Sequence, residues 1–115
     1  MEITVGSGYV LSRNAVYAKS LLARIRGLIS HRPLSDGEAL VIPACRQVHT
    51  FFMRFSIDIV FANRDGRIVG IEGELPPFSF SGYHRKAYFA VELPAGAARR
   101  AGLEVGGMLL FKDGK

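Results

Sequence analysis

Ile57-Asp58-Ile59-Val60-Phe61-Ala62-Asn63-Arg64-Asp65-Gly66-Arg67-Ile68-Val69-Gly70-Ile71 reads as a strand, a turn and a second strand. β-branched and aromatic residues fill both arms, and the four residues between them carry Asn, Asp and Gly, the types that a tight reversal favours. A hairpin of this kind needs more strands before it can bury a face, so the flanking sequence has to supply them.

Upstream, Ala39-Leu40-Val41-Ile42 is a short, continuously apolar strand that follows a loop marked by Pro33 and Asp36-Gly37 and ends at Pro43. Residues 2–11 alternate, with Ile3 and Val5, then Tyr9 and Leu11, around Gly6-Ser7-Gly8, as two short strands joined by a glycine turn. From Asn14 the period changes. Ala18, Leu21, Leu22, Ile25, Leu28 and Ile29 recur at three- and four-residue spacing, with Lys19, Arg24 and Arg26 on other faces. This predicts an amphipathic helix with Ser12 or Asn14 as its N-cap and Gly27 near its end.

Downstream, residues 74–85 hold Pro76-Pro77, Phe78, Phe80, Gly82 and Tyr83, an irregular loop that is first a lid over the core and otherwise a contact surface. Residues 87–93 form another strand closed by Pro94-Ala95-Gly96, residues 97–101 one helical turn ending at Gly102, and residues 108–111 a last strand. Six or seven strands and one main helix near the N-terminus predict an α+β domain. Its sheet is expected to be mostly antiparallel and curved or barrel-like.

The 115 residues make one domain, with 49% hydrophobic residues and a mean hydropathy of +0.19 that suit a packed core. No apolar run approaches the roughly 18 residues of a membrane span. The N-terminus lacks the basic and apolar regions of a signal peptide, so the chain reads as cytoplasmic, or as an exported form already processed. One cysteine allows no internal disulfide. The +5 charge is scattered in singles and pairs, and no zinc finger or phosphate-binding glycine loop is present. No cofactor is expected, and nucleic acid is not the expected partner.

The chemistry is concentrated just before the hairpin, in Cys45-Arg46-Gln47-Val48-His49-Thr50-Phe51-Phe52-Met53-Arg54. Cys45, His49 and Met53 are four apart each time and offer soft donors suited to Cu(I). On a helix, side chains at this spacing meet; on a strand, neighbours stand about 13 Å apart and cannot share an ion. Thr50-Phe51-Phe52 ahead of a strong strand favours the extended form, in which Cys45 and Met53 fill core. A Cys45 nucleophile with His49 as base is a further reading. Arg54 and Asp58 fall on the face opposite Met53 and Ile57, as an anion-binding patch or an ion pair bracing the sheet.

Arg26-Gly27-Leu28, Cys45, Val48-His49-Thr50-Phe51, Met53-Arg54-Phe55, Ile57-Asp58, Phe61, Asp65-Gly66 and Glu92-Leu93-Pro94-Ala95-Gly96 together resemble the signature of domain-of-unknown-function family 192. The resemblance runs from about Ala15 to Leu110. It implies a small α+β domain with a barrel-like sheet, and it implies no reaction. The chain departs from the pattern at Ser56, where proline is usual, and at Gly106-Gly107, where Gly-Asp is usual. The expected function is a small binding or accessory domain, its ligand or protein partner contacting the segment from Val48 to Asp58 through His49, Thr50, Met53, Arg54 and Asp58, with Cys45 and Arg26 nearby. A Cu(I)-type site on Cys45, His49 and Met53 and a Cys/His enzyme are the alternatives.

Overall fold

The expected hairpin is the spine of the molecule. In this computed structural model, which describes residues 1–18, 33–51 and 53–112, strand β5 (Ile57–Ala62) pairs antiparallel with β6 (Ile68–Leu75) and, on its other edge, with β7 (Phe89–Pro94). All six residues of β5 are buried, which explains an apolar run with no polar face. Its turn is tied by Asn63 Oδ1, which accepts from the amides of Asp65 at 3.0 Å and Arg67 at 2.9 Å. Gly66 sits at φ 91°, and a Cβ there would run into the Leu109 carbonyl oxygen. Glycine is therefore required at that position for its conformation and for its size.

The remaining strands are β1 (Glu2–Val5), β2 (Val10–Ser12), β3 (Asn14–Tyr17), β4 (Glu38–Pro43) and β8 (Leu109–Lys112), with a short helix α1 (Ala97–Arg100) after β7. They form a five-stranded sheet in the order β3-β4-β7-β5-β6 and a three-stranded sheet in the order β2-β1-β8. Successive side chains alternate between the faces of the larger sheet. Ala39, Val41, Val60, Ala62, Val91 and Leu93 join Ile3 and Leu109 of the smaller sheet and Ala98 of α1 in one core cluster. Leu40, Ile42, Ile57, Ile59, Phe61 and Ala90 join Val48, Met53 and Ala87 in a second cluster on the other face.

Three expectations are corrected. The described residues form eight strands and one four-residue helix, so over them the class is almost entirely β and not α+β. The expected helix start is strand: Ser12 ends β2, and Asn14 to Tyr17 pair in parallel with Glu38 to Val41. In that strand Ala15 is buried while Asn14, Val16 and Tyr17 are exposed, and its extended form is set by pairing with β4. The rest of the expected helix, with Arg26 and Gly27, falls within residues 19–32 and lies outside the described residues. The sheet is also not a barrel, because β3 and β6 remain as separate edges.

Candidate functional site

From Cys45 to Thr50 the chain runs extended beside residues 79–88. Cys45 N donates to Tyr88 O at 3.0 Å, His84 N to Arg46 O at 2.8 Å, Ser81 N to Val48 O at 2.8 Å and Thr50 N to Ser79 O at 2.9 Å. His49 and Phe80 face each other as an antiparallel pair. Along this ribbon Val48 and Thr50 are buried and His49 is exposed, the alternation of a strand. After Thr50 the chain turns, with Met53 N donating to Thr50 O at 3.2 Å, and Met53 enters the second core cluster.

The inner side of the ribbon is fixed by Thr50. Its hydroxyl donates to Pro76 O at 2.6 Å and accepts from Ser79 N at 3.0 Å, while its carbonyl accepts from Phe78 N at 3.0 Å. Ser81 Oγ accepts from Val48 N at 2.9 Å. The outer side carries rings. Phe51 and Phe80 meet edge to face at 4.7 Å, and His49 lies 5.0 Å from Phe51 and 6.3 Å from Phe80 between ring centroids. Phe80 is 61% exposed, Tyr83 64% and Phe78 76%. The lid expectation for this loop is thus corrected, since its rings face solvent and its backbone and hydroxyls face the core. Phe78 also holds a left-handed φ of 57°, a conformation that side chains other than glycine rarely adopt.

Basic residues are exposed along the same stretches of chain. Arg46 donates from Nε to Arg85 O at 3.1 Å, and Arg46, Arg54, Arg85 and Lys86 are all exposed. Arg54 makes no ion pair among the described residues. The expected brace between Arg54 and Asp58 does not form there, because both oxygens of Asp58 are used by the backbone. Oδ1 accepts from Glu74 N at 2.8 Å and Gly96 N at 3.0 Å, and Oδ2 accepts from Ala98 N at 2.8 Å. At 1% exposure this carboxylate joins the end of β6 to the first turn of α1.

Of the remaining expected site residues, Cys45 packs against the second core cluster, which holds Met53, while His49 is exposed. Cys45 is half-buried, its thiol donating to Gln47 O at 3.3 Å. The extended run to His49 separates neighbours at this spacing by about 13 Å, and Met53 is in the core. Among the described residues no three His, Cys, Asp or Glu side chains form a metal-binding group. Arg26 lies outside the described residues.

Sequence reading missed a second arrangement at the basic end of the ribbon. His84 Nε2 is 2.8 Å from Glu72 Oε2, the same oxygen that accepts from Gly82 N at 2.5 Å. The His84 ring stacks on Phe61, with centroids 4.0 Å apart and planes at 21°. It occupies the space over Gly70, where a Cβ would collide with the ring. A glycine inside an otherwise β-branched strand was the only available sign of this close approach. Tyr83, Arg85, Lys86 and Val69 surround it in a shallow depression. Fully buried Glu92, on the face of β7 shared with Leu40 and Ile59, was likewise not picked out.

Comparison with families finds that the profile of DUF192, described as an uncharacterized ACR, matches residues 3–111. Comparison with curated proteins finds no match. Among solved structures, a protein of unknown function from Novosphingobium aromaticivorans DSM 12444 superimposes with a TM-score of 0.80 at 22% identity, covering 96% of this chain and 84% of that one. A "putative transcription regulator" from Sinorhizobium meliloti 1021 gives 0.76 at 19% identity, covering 95% and 89%. At such identities the likeness is one of fold.

Proposed function

We propose that this chain, which belongs to the DUF192 family, is a binding module that acts by contact and not by turnover. Its contact surface in this reading is the outer face of the ribbon: His49, Phe51, Phe78 and Phe80, with Arg54 and Arg46 beside them. Thr50, Met53 and Asp58 serve it from within, Thr50 by fixing the loop and the other two by anchoring the strand behind it. Cys45 marks where the ribbon begins.

The observation that carries the reading is Phe78, 76% exposed and held at φ 57° on a loop whose inner side is fully engaged. Exposed Phe78 and Phe80, with half-buried Phe51 and the exposed imidazole of His49, leave apolar surface in water that packing does not require. Aromatic and Arg side chains on a rigid frame are the types that dominate binding energy at interfaces. A photoreactive benzoylphenylalanine at position 80, close in shape to the native ring, tests the reading in cells. Adducts are expected from position 80 and not from the equally exposed position of Val105. Equal yields from both, or none from position 80, would reject the contact surface.

A further inference from the structure

We infer that the ring-bearing face of the ribbon docks on a lipid membrane surface with anionic headgroups. The inference rests on the contact surface proposed above and names its partner.

The arrangement of the rings selects among partners. Phe51 meets Phe80 at an interplanar angle of 71° and His49 lies tilted at 42° to Phe51, so the cluster presents edges and faces together and not a run of open parallel faces. Bases stack on open faces, and this cluster offers few. The boundary between headgroups and acyl chains makes no such demand, since it takes up apolar surface in any ring orientation. Phe78 is the most exposed of the rings, and Tyr83 brings a ring with a polar tip, the form enriched at membrane interfaces.

Charge supplies the second selection. Arg46, Arg85 and Lys86 are exposed at the end of the ribbon that carries Tyr83, where Arg46 Nε donates to Arg85 O, and Arg54 is exposed after Phe51. Of the acids in the same region, Asp58 is buried under backbone N–H donors and Glu72 is held by His84 and Gly82. Glu74 is the exposed exception, at the start of the loop. A ribbon that carries both exposed rings and exposed cations matches a surface that is apolar below and anionic above, and each Lys or Arg near such a surface strengthens attachment about fivefold. The contact is peripheral: among the described residues no helix is long and apolar enough to cross a membrane. Because Thr50 already fixes the loop, little ordering remains to be done on docking.

Cosedimentation of the whole chain with vesicles tests this. Vesicles of equal parts phosphatidylcholine and phosphatidylglycerol should pellet the protein, and vesicles of phosphatidylcholine alone should pellet far less. Phe78→Ser with Phe80→Ser should weaken attachment at least about tenfold. Arg85→Ala with Lys86→Ala should weaken it by more than about tenfold and remove most of its salt dependence. This second variant, which alters no ring, keeps the test decisive if the first misfolds. No attachment to anionic vesicles overturns the inference, as does attachment that both variants leave unchanged. Saturable binding of oligo-dT that needs the same rings, without vesicle binding, would assign the face to nucleic acid and also overturn it. If vesicles fail while position 80 still yields crosslinks to a macromolecule, the membrane is wrong and the contact surface stands; if both fail, both readings fall.

Discussion

Asp58 and His49 lie nine residues apart in one stretch of sequence, and both are polar groups set among aromatic and aliphatic neighbours. Asp58 has 1% of its surface exposed and spends both oxygens on three backbone amides from two other segments. His49 faces out, between two phenylalanines. Polar residues in an apolar motif therefore fall into two kinds. One kind, buried, satisfies the backbone of other segments where strands and a helix end converge; the other sits on the surface by the alternation of an extended chain and accepts from an amide two residues on, as His49 Nδ1 does from Phe51 N at 3.4 Å. Spacing on the sequence does not separate them; the location of the surrounding backbone donors does.

The sharpest way to break that comparison is to remove each group. Asp58→Ala leaves three amides without their acceptor at the junction of β5, β6 and α1. It should cost about 3–4 kcal/mol, and Asp58→Asn about half as much, because one amide oxygen remains to accept. His49→Ala should stay within about 0.5 kcal/mol, as befits an exposed side chain. Urea denaturation of the three variants checks this. Similar losses for His49→Ala and Asp58→Ala would erase the distinction.

A second test concerns His84, an imidazole that, unlike His49, is tucked against the sheet. Gly70→Ala places a methyl group in the His84 ring, and forcing the ring off Phe61 should cost about 2 kcal/mol. In a Gly70→Ala, His84→Ala double variant the collision is gone, so the two losses should not add. Additive losses, measured by the same denaturation series, would mean that Gly70 matters for its backbone and not for the room it leaves.

The third test addresses what supports the exposed side. Thr50→Val keeps the shape but deletes the hydroxyl that donates to Pro76 O and accepts from Ser79 N. A loss of about 1.5 kcal/mol is expected, with faster hydrogen exchange at the Ser79 amide. Unchanged exchange there would show that the loop holds its rings outward without Thr50.

These contrasts also explain what the sequence made legible. The hairpin around Asn63-Arg64-Asp65-Gly66, the β1–β2 pair, the turn of helix at residues 97–100 and the final strand all have local causes, in turn chemistry and two-residue alternation, and each was readable. The N-terminal helix start was misread. Asn14 to Tyr17 take their conformation from β4, a partner more than twenty residues away, and the apolar spacing that follows belongs to other residues. The extended form of Cys45 to Thr50 was foreseeable from its composition, and an extended run sets Cys45 about 13 Å from His49. The roles of Asp58 and Thr50 were not foreseeable, because their partners are backbone atoms of loops far along the chain. The Glu72–His84 pair left one trace, Gly70, whose meaning depends on a ring fourteen residues away.

The smallest effect carries the most information about the exposed side. At φ 57° the Cβ of Phe78 crowds its own backbone, a cost of about 1–2 kcal/mol that glycine avoids, while glycine loses about 0.5–1 kcal/mol through the greater freedom of its unfolded chain. Phe78→Gly should therefore raise stability slightly, by about 0.5 kcal/mol, because the ring it removes is 76% exposed and contributes little burial. The same substitution should weaken vesicle attachment severalfold, since the removed ring is the most exposed of the group. A variant that is more stable and binds less well would mark Phe78 as a residue retained against the preference of its backbone. If Phe78→Gly instead destabilised the protein by as much as Thr50→Val, the ring would belong with Asp58 among the groups the fold requires, and the outer face would have to be read without it.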